Sequence, residues 1–387
     1  RAEVARFAPG DVAGYERFLA ASEAIYKVGF EQLGHVAFDS WTDMLRVLPQ
    51  LLKLEGYRTV YSLACKHVRD ARLRVVLTFQ SLLVGGNPFA TTSVYCLIAF
   101  LERRWGVHFP MGGTGTLVKG LVGLIEGQGG SVRCGQGVER ITVDRGAASG
   151  VRLESGETVP ADIVVSNADS AWTYRHLVPP EHRRRWTDRR IERARYSMSL
   201  FVWYFGTKKR FDDVPHHMML LGPRYEGLLT DIFKRQHLAE DFSLYLHRPT
   251  ATDPSMAPEG CDAFYVLSPV PHLGSGTDWA VHAETYRRAI EARLEATVLP
   301  GLREQIVTSR VTTPQDFHDR LLSFKGAAFG LEPLLLQSAW FRPHNRSEDV
   351  QGLFMVGAST HPGAGVPGVL MSAKALETVV PHVSSLA

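Results

Sequence analysis

Apolar positions over the first hundred residues recur at three- and four-residue intervals, the spacing of amphipathic helices. Tyr15, Phe18, Leu19 and Ala20 share one face behind Asp11, which predicts a helix capped by that aspartate. Around Pro49 a second stretch holds Met44, Leu45, Val47, Leu48, Leu51, Leu52 and Leu54. A third runs through Leu73, Val76, Phe79 and Leu83, and a fourth, after Gly85-Gly86-Asn87-Pro88, through Val94, Leu97, Ile98 and Leu101. Residues 1–110 are therefore read as a helical region. Its large side chains either pack on a core or line a hydrophobic tunnel or a membrane-facing surface.

Near residue 112 the pattern changes. Gly112-Gly113-Thr114-Gly115 introduces a helix over Thr116–Glu126. Strand patterns follow at 130–134, 138–143, 150–154 and 163–166, with Ser155-Gly156-Glu157 as a hairpin turn. These elements make residues 111–172 an α/β unit. Alternation returns at 197–204, 242–246 and 264–267, and residues 283–298 read as an amphipathic helix. Residues 173–346 are expected to hold one mixed sheet with helices, so the chain overall is α+β.

The most informative segment lies in residues 347–387. An apolar run, Leu353-Phe354-Met355-Val356, meets a loop with Gly357, Gly363, Gly365 and Gly368, and an apolar helical pattern follows from Val369. This reads as buried strand, glycine-rich loop and helix. Glycines let a backbone approach a ligand closely, and Pro367 suits a helix start. The helix start offers unpaired N–H groups to a phosphate or to the negative edge of a reduced flavin. A tight turn before a packed helix is the alternative. No Gly-Lys-Ser/Thr follows the glycines, which excludes a nucleoside-triphosphate loop.

Composition narrows the classes. The 387 residues are 45% hydrophobic and 21% charged, as in ordinary globular proteins. A net charge of +3 gives no reason to expect nucleic acid. The nearest basic run, His182 to Arg195, reads as a solvated helix face, with anionic lipid as the second reading. Cys65, Cys96, Cys134 and Cys261 lie far apart, show no metal-ligand spacing and read as reduced thiols. No stretch is long and apolar enough to span a bilayer.

Four strings, in order, point to a family. They are Ser81 to Phe89; Asp241 to His247 with Thr252-Asp253 and Ala257 to Gly260; Gln337 to Arg346; and His361 to Gly368. With the strand end Ile163 to Asp169 they resemble the flavoprotein amine-oxidase and carotenoid-desaturase superfamily, specifically the bacterial and fungal phytoene-desaturase type, over essentially the whole chain. One departure matters. The family opens with a Rossmann unit whose G-x-G-x-x-G grips the FAD diphosphate, and nothing here is expected to match it. Gly113-Thr114-Gly115 lacks the third glycine, at Val118. About a hundred residues of that Rossmann-like domain are read as absent, leaving the FAD-binding domain incomplete.

The resemblance implies FAD as cofactor and phytoene, a long apolar isoprenoid, as substrate, desaturated to all-trans-lycopene. It implies oxygen or a quinone as electron acceptor, and a peripheral position on the cytoplasmic face of a membrane. It implies that Val138 meets the adenine, that Gly357 and Ala358 follow the ribitol and pyrophosphate, and that Gly365, Val366, Pro367 and Gly368 face the isoalloxazine. Segments 73–101, 198–205 and 327–336 could line the tunnel, and Arg224 and Tyr225 could stand at its mouth. For the proton, His361 sits in the flavin loop, and Glu332 lies in an apolar stretch where burial raises a carboxyl pKa. Pairing of Glu332 with an arginine such as Arg342 is its structural alternative. The other functional readings are a related carotenoid desaturase, isomerase or ketolase, a flavin-free chain that binds only apolar ligand or membrane, and an amine oxidase. The last would need an aromatic cage that the His361–Gly368 loop does not offer.

Overall fold

The structure is a computed structural model that describes residues 1–382. Its best-packed part is a five-stranded sheet. The sheet contains β5 (Ser199–Thr207), β6 (His217–Leu220), β7 (Leu244–His247), β8 (Asp262–Val270) and β9 (Ile306–Thr312) in the order β6-β7-β8-β5-β9. All four pairings are antiparallel, where a mixed sheet was expected. The central strand β5 explains the rest by its period of two. Phe201, Trp203 and Phe205 point into one core, with Trp279, Tyr286, Ile290 and Leu294 of the helix Trp279–Thr297. Leu200 and Val202 point into another, with Leu228, Leu229 and Ile232. Burial on both faces is why β5 reads as a nearly continuous apolar run.

A smaller assembly carries the loop of interest. The strands β1 (Val138–Asp144), β2 (Ala147–Leu153) and β3 (Thr158–Pro160) form an antiparallel meander. Beside it β4 (Val164–Ser166) pairs in parallel with β10 (Leu353–Met355), two strands nearly two hundred positions apart in the chain. Ile141, Val164, Leu353 and Met355 share a core with Tyr174 and Trp186. The segment 130–134, expected as a strand, is irregular and exposed, because no neighbouring strand offers it hydrogen bonds. The helix Thr114–Gly127 forms as expected, but none of its residues is buried.

The named elements of the N-terminal region are all helical, joined by loops. Phe18, Ile25, Leu63 and Leu73 form its core. Asp11 does not cap the following helix with its side chain. It is buried, and its carboxylate instead accepts the amides of Arg69 and Asp70, at 2.9 and 2.6 Å. The basic run also departs from a solvated face. Arg183 and Arg185 fold back onto Asp188 and Glu348, and Arg190 lies 3.9 Å over the ring of Trp186. No helix among the described residues is long and apolar enough to cross a membrane.

Candidate active site

The strand β10 ends at Met355, and the chain turns at once through Gly357, which adopts φ +101°. Gly363 and Gly365 follow at +123° and +97°, in the left-handed region that side chains disfavour. The closing helix runs Val366–Glu377 with Pro367 in its first turn. A side chain at Gly368 would bring its Cβ 2.6 Å from the Gly363 carbonyl, so loop and helix touch backbone to backbone there. The string Gly363-Ala364-Gly365-Val366-Pro367-Gly368 does fit G-x-G-x-x-G, which corrects the expectation that nothing in the chain matches. Its setting differs from a dinucleotide fingerprint, because the strand ends several residues earlier.

Directional bonds hold this loop. The Arg342 guanidinium is buried, donating to the carbonyls of Ala358 at 2.8 Å, Thr360 at 3.4 Å and Leu331 at 3.1 Å. The Gly357 amide donates to Ser372 Oγ at 3.0 Å, and Ser372 Oγ meets Thr360 Oγ1 at 2.6 Å. Asn345 Nδ2 donates to the Met355 carbonyl at 3.0 Å. Two bonds reach the N-terminal region: His361 Nε2 to the Leu33 carbonyl at 2.8 Å, and Tyr95 Oη to the Pro362 carbonyl at 3.2 Å.

Over the loop lies a cavity of about 490 Å³. Its floor is His361, Pro362, Ala364, Gly365, Pro367 and Gly368. Its walls are the helical region: Ile25 and Val28, then Met44, Val47 and Leu51, then Leu83, Leu97 and Leu101. Of the expected lining segments, 73–101 contributes and 327–336 contributes at Leu335, but 198–205 does not, because β5 is consumed by the two sheet cores. Arg224 and Tyr225 stand away from the cavity. Arg224 is paired with Asp231 and Asp241, and Tyr225 packs near Phe89.

The two expected proton acceptors separate. His361 is at the cavity floor, and burial pushes its pKa down to about 4. Since a carbonyl can only accept, its Nε2 carries the hydrogen and its Nδ1 holds the lone pair. Glu332 does not line the cavity. Burial pushes its carboxyl up to about 7 against the opposing pull of Arg195, whose Nη2 lies 2.8 Å away. The partner is Arg195 and not Arg342, because Arg342 is taken up by the loop carbonyls.

Two cavity residues escaped sequence reasoning. Glu102 lines the cavity with its carboxyl raised by burial, a shift that Gln80 opposes by hydrogen bonding. Glu102 follows Leu101 and precedes Arg103 and Arg104, and nothing in that local pattern marks it as a cavity residue. Gln80 Oε1 is buried with no partner. Among the remaining cofactor candidates, Val138 begins the edge strand β1 and is part exposed, and Val366 is exposed at the helix start. Gly357 and Ala358 sit below the cavity floor, tied to Ser372 and Arg342.

This loop fits the electron-rich end of a flavin. Three positive-φ glycines and a helix start give close approach and unpaired amides, and an apolar chamber adjoins them. The class that fold and site define is the flavin-dependent oxidoreductases. Solved structures agree at the level of fold: an oxidoreductase from Methanosarcina mazei (TM-score 0.58, 16% identity, 88% of this chain and 73% of that one) and cyclohexylamine oxidase from Brevibacterium oxydans IH-35A (TM-score 0.54, 15% identity, 96% and 76%).

Residues 3–375 match the family described as flavin containing amine oxidoreductase. The phytoene desaturase (neurosporene-forming) of Cereibacter sphaeroides is 51% identical over 386 residues, which are 98% of this chain and 74% of that protein. The phytoene desaturases (lycopene-forming) of Pseudescherichia vulneris and Pantoea ananas are 50% and 49% identical, over 98% and 97% of this chain and 77% and 76% of theirs. The chain belongs to the flavin-containing amine oxidoreductases and, within them, to the carotenoid desaturases.

Proposed function

We propose that the protein desaturates phytoene to all-trans-lycopene with FAD. The observation that carries this is the apolar cavity whose floor is the glycine-rich loop. Bound FAD supplies a two-electron acceptor that takes a hydride at N5. The chain's own residues do the rest. Gly365, Val366, Pro367 and Gly368 would face the isoalloxazine, Gly357 and Ala358 the ribitol and pyrophosphate, and Val138 the adenine. The aliphatic walls hold an apolar chain in register and exclude water, which favours a substrate with no polar group to desolvate.

Loss of a hydride from a CH₂–CH₂ unit leaves a cationic carbon chain, and the neighbouring carbon must release a proton. His361 Nδ1 is the base at the floor, uncharged at neutral pH and fixed in orientation by the Leu33 carbonyl. Glu102 is a second acceptor on the cavity wall. Glu332 is paired with Arg195 and does not line the cavity. Oxygen or a quinone would be the final electron acceptor.

The helix Trp41–Lys53 supports a membrane position. Met44, Val47 and Leu51 face the cavity, while Trp41, Leu45, Leu48 and Leu52 are exposed on its other side. One element thus joins the chamber to an apolar outer surface suited to the cytoplasmic face of a membrane. Flotation with liposomes checks it: substitution of Leu45 and Leu48 by glutamate should abolish co-flotation.

The test of function is expression of the gene in a bacterium that accumulates phytoene, with the pigment extracted and separated. Red lycopene supports the proposal. A yellow, shorter polyene keeps the chemistry and changes the number of steps, as the neurosporene-forming relatives illustrate. Unchanged phytoene from soluble, flavin-loaded protein overturns it.

A further inference from the structure

Three histidines meet at the open edge of the large sheet, away from the cavity floor. His217 opens β6 and pairs directly across the ladder with His247, the last residue of β7. His216 precedes them and lies across both, with ring centroids 4.3 Å from His217 and 4.5 Å from His247. One nitrogen from each ring lies within 4.8 Å of the other two. No function described above uses them.

The surroundings are built as a ligand cage is built. Each recorded side-chain hydrogen bond falls on Nδ1. His216 Nδ1 meets Thr252 Oγ1 at 2.5 Å, and the single hydroxyl of Tyr245 meets both His217 Nδ1 at 2.6 Å and His247 Nδ1 at 3.2 Å. Residues 245 and 247 share a face of β7 by strand alternation, so one tyrosine can serve both rings. Outer-shell hydroxyls of this kind orient imidazoles for metal through the opposite nitrogen. His216 Nε2 is buried with no hydrogen-bond partner.

Behind the rings the frame is stiff. Arg248 is buried on Asp262 at 2.9 Å, Thr250 donates to the same carboxylate at 2.6 Å, and the Arg248 amide bonds the His216 carbonyl at 2.9 Å. Tyr265 stacks on His247 at 4.4 Å, and Phe109 meets His216 edge to face at 4.8 Å.

We propose that His216, His217 and His247 form a binding site for a divalent transition ion of the Zn(II) class. Three imidazoles without thiolate or carboxylate suit a borderline ion over Mg(II) or Ca(II). The exposed side of His217 leaves a fourth position to water. Rotation of the rings about their side-chain bonds closes the present spacing onto an ion at roughly 2.0–2.1 Å per nitrogen. The site would act on structure. Phe109 packs on two of the rings, and Gly112 donates to Asp253 at 2.6 Å just beyond Thr252. Gly106, Val107 and His108 of the same segment line the cavity, so an ion here would brace one end of it.

The test is titration of the chelator-treated full chain with Co(II), followed by visible absorption and then by competition with Zn(II). The expected result is an intense tetrahedral band saturating at one equivalent and displaced by Zn(II). His217→Ala, at an exposed position that leaves the fold intact by circular dichroism, should remove the band. Tyr245→Phe should keep it with affinity lowered about tenfold. No band from folded protein, or an unchanged band in folded His217→Ala, overturns the proposal.

Discussion

The large sheet and the glycine-rich loop are stabilised by different physics. The sheet is buried on both faces of β5 and rests mainly on apolar contact and its ladder of hydrogen bonds. The loop has few apolar contacts of its own. Its shape comes from Arg342, Ser372, Thr360 and Asn345 acting on named backbone atoms. Apolar surface is left open on the elements that flank the loop, at Val165 on β4 and at Val366 and Leu370 on the closing helix, and also at Leu117, Leu121 and Leu124 on the helix Thr114–Gly127. Hydrophobic burial is non-directional and tolerates small shifts, whereas hydrogen bonds fix a geometry. The part that must hold a ligand in one pose uses the second kind.

Substitutions test that contrast. Trp203→Ala, in the fully buried sheet core, should cost about 3–5 kcal/mol in urea unfolding and leave flavin occupancy of the folded protein unchanged. Loss of flavin from the still-folded variant would break the comparison. Arg342→Met should cost about 3 kcal/mol, because it strands buried carbonyls, and should also release flavin, read as the ratio of visible to ultraviolet absorption. Arg342→Lys should not rescue it, since an ammonium lacks the planar fork that reaches separate carbonyls.

Glu332 gives a pH signature. Its folded pKa of about 7 lies above the ordinary value of 4.5, so the folded state holds the proton more tightly. That contribution to stability is complete below pH 4.5 and is lost as pH rises to about 7, amounting to roughly 2–3 kcal/mol. Glu332→Gln should flatten the profile across that window in denaturation measurements. A parallel profile would mean that another group sets the slope. The smallest effect is at the open surface. Leu121→Lys, half exposed on its helix, should change stability by less than about 0.5 kcal/mol.

The sequence made the elements legible where local pattern decides them. The strand, loop and closing helix, the helical first third and the β2–β3 hairpin follow from periodicity and glycine placement. Partners across the fold were not legible. Glu332 is buried with a raised pKa, as its apolar stretch suggested, but its arginine is Arg195 and it does not line the cavity. Nothing in the local pattern around Glu102 marks the apolar chamber that the fold puts beside it. The β5 segment looked like tunnel lining because a strand buried on two sides and a ligand-facing strand carry the same residues. The histidine cluster joins 216–217 to 247 through strand register, which no short motif displays.

The two hydrogen bonds that tie the loop to the helical region span 328 and 267 positions along the chain. Contacts between such distant segments form late and slowly, because a long loop must close first. During synthesis these helices therefore emerge with their cavity-facing side chains uncovered, and wait until His361 and Pro362 are made before Leu33 and Tyr95 meet their partners. Until then the nascent chain presents a greasy half-chamber to its surroundings, a stage at which a chaperone or a lipid surface would be the natural temporary cover.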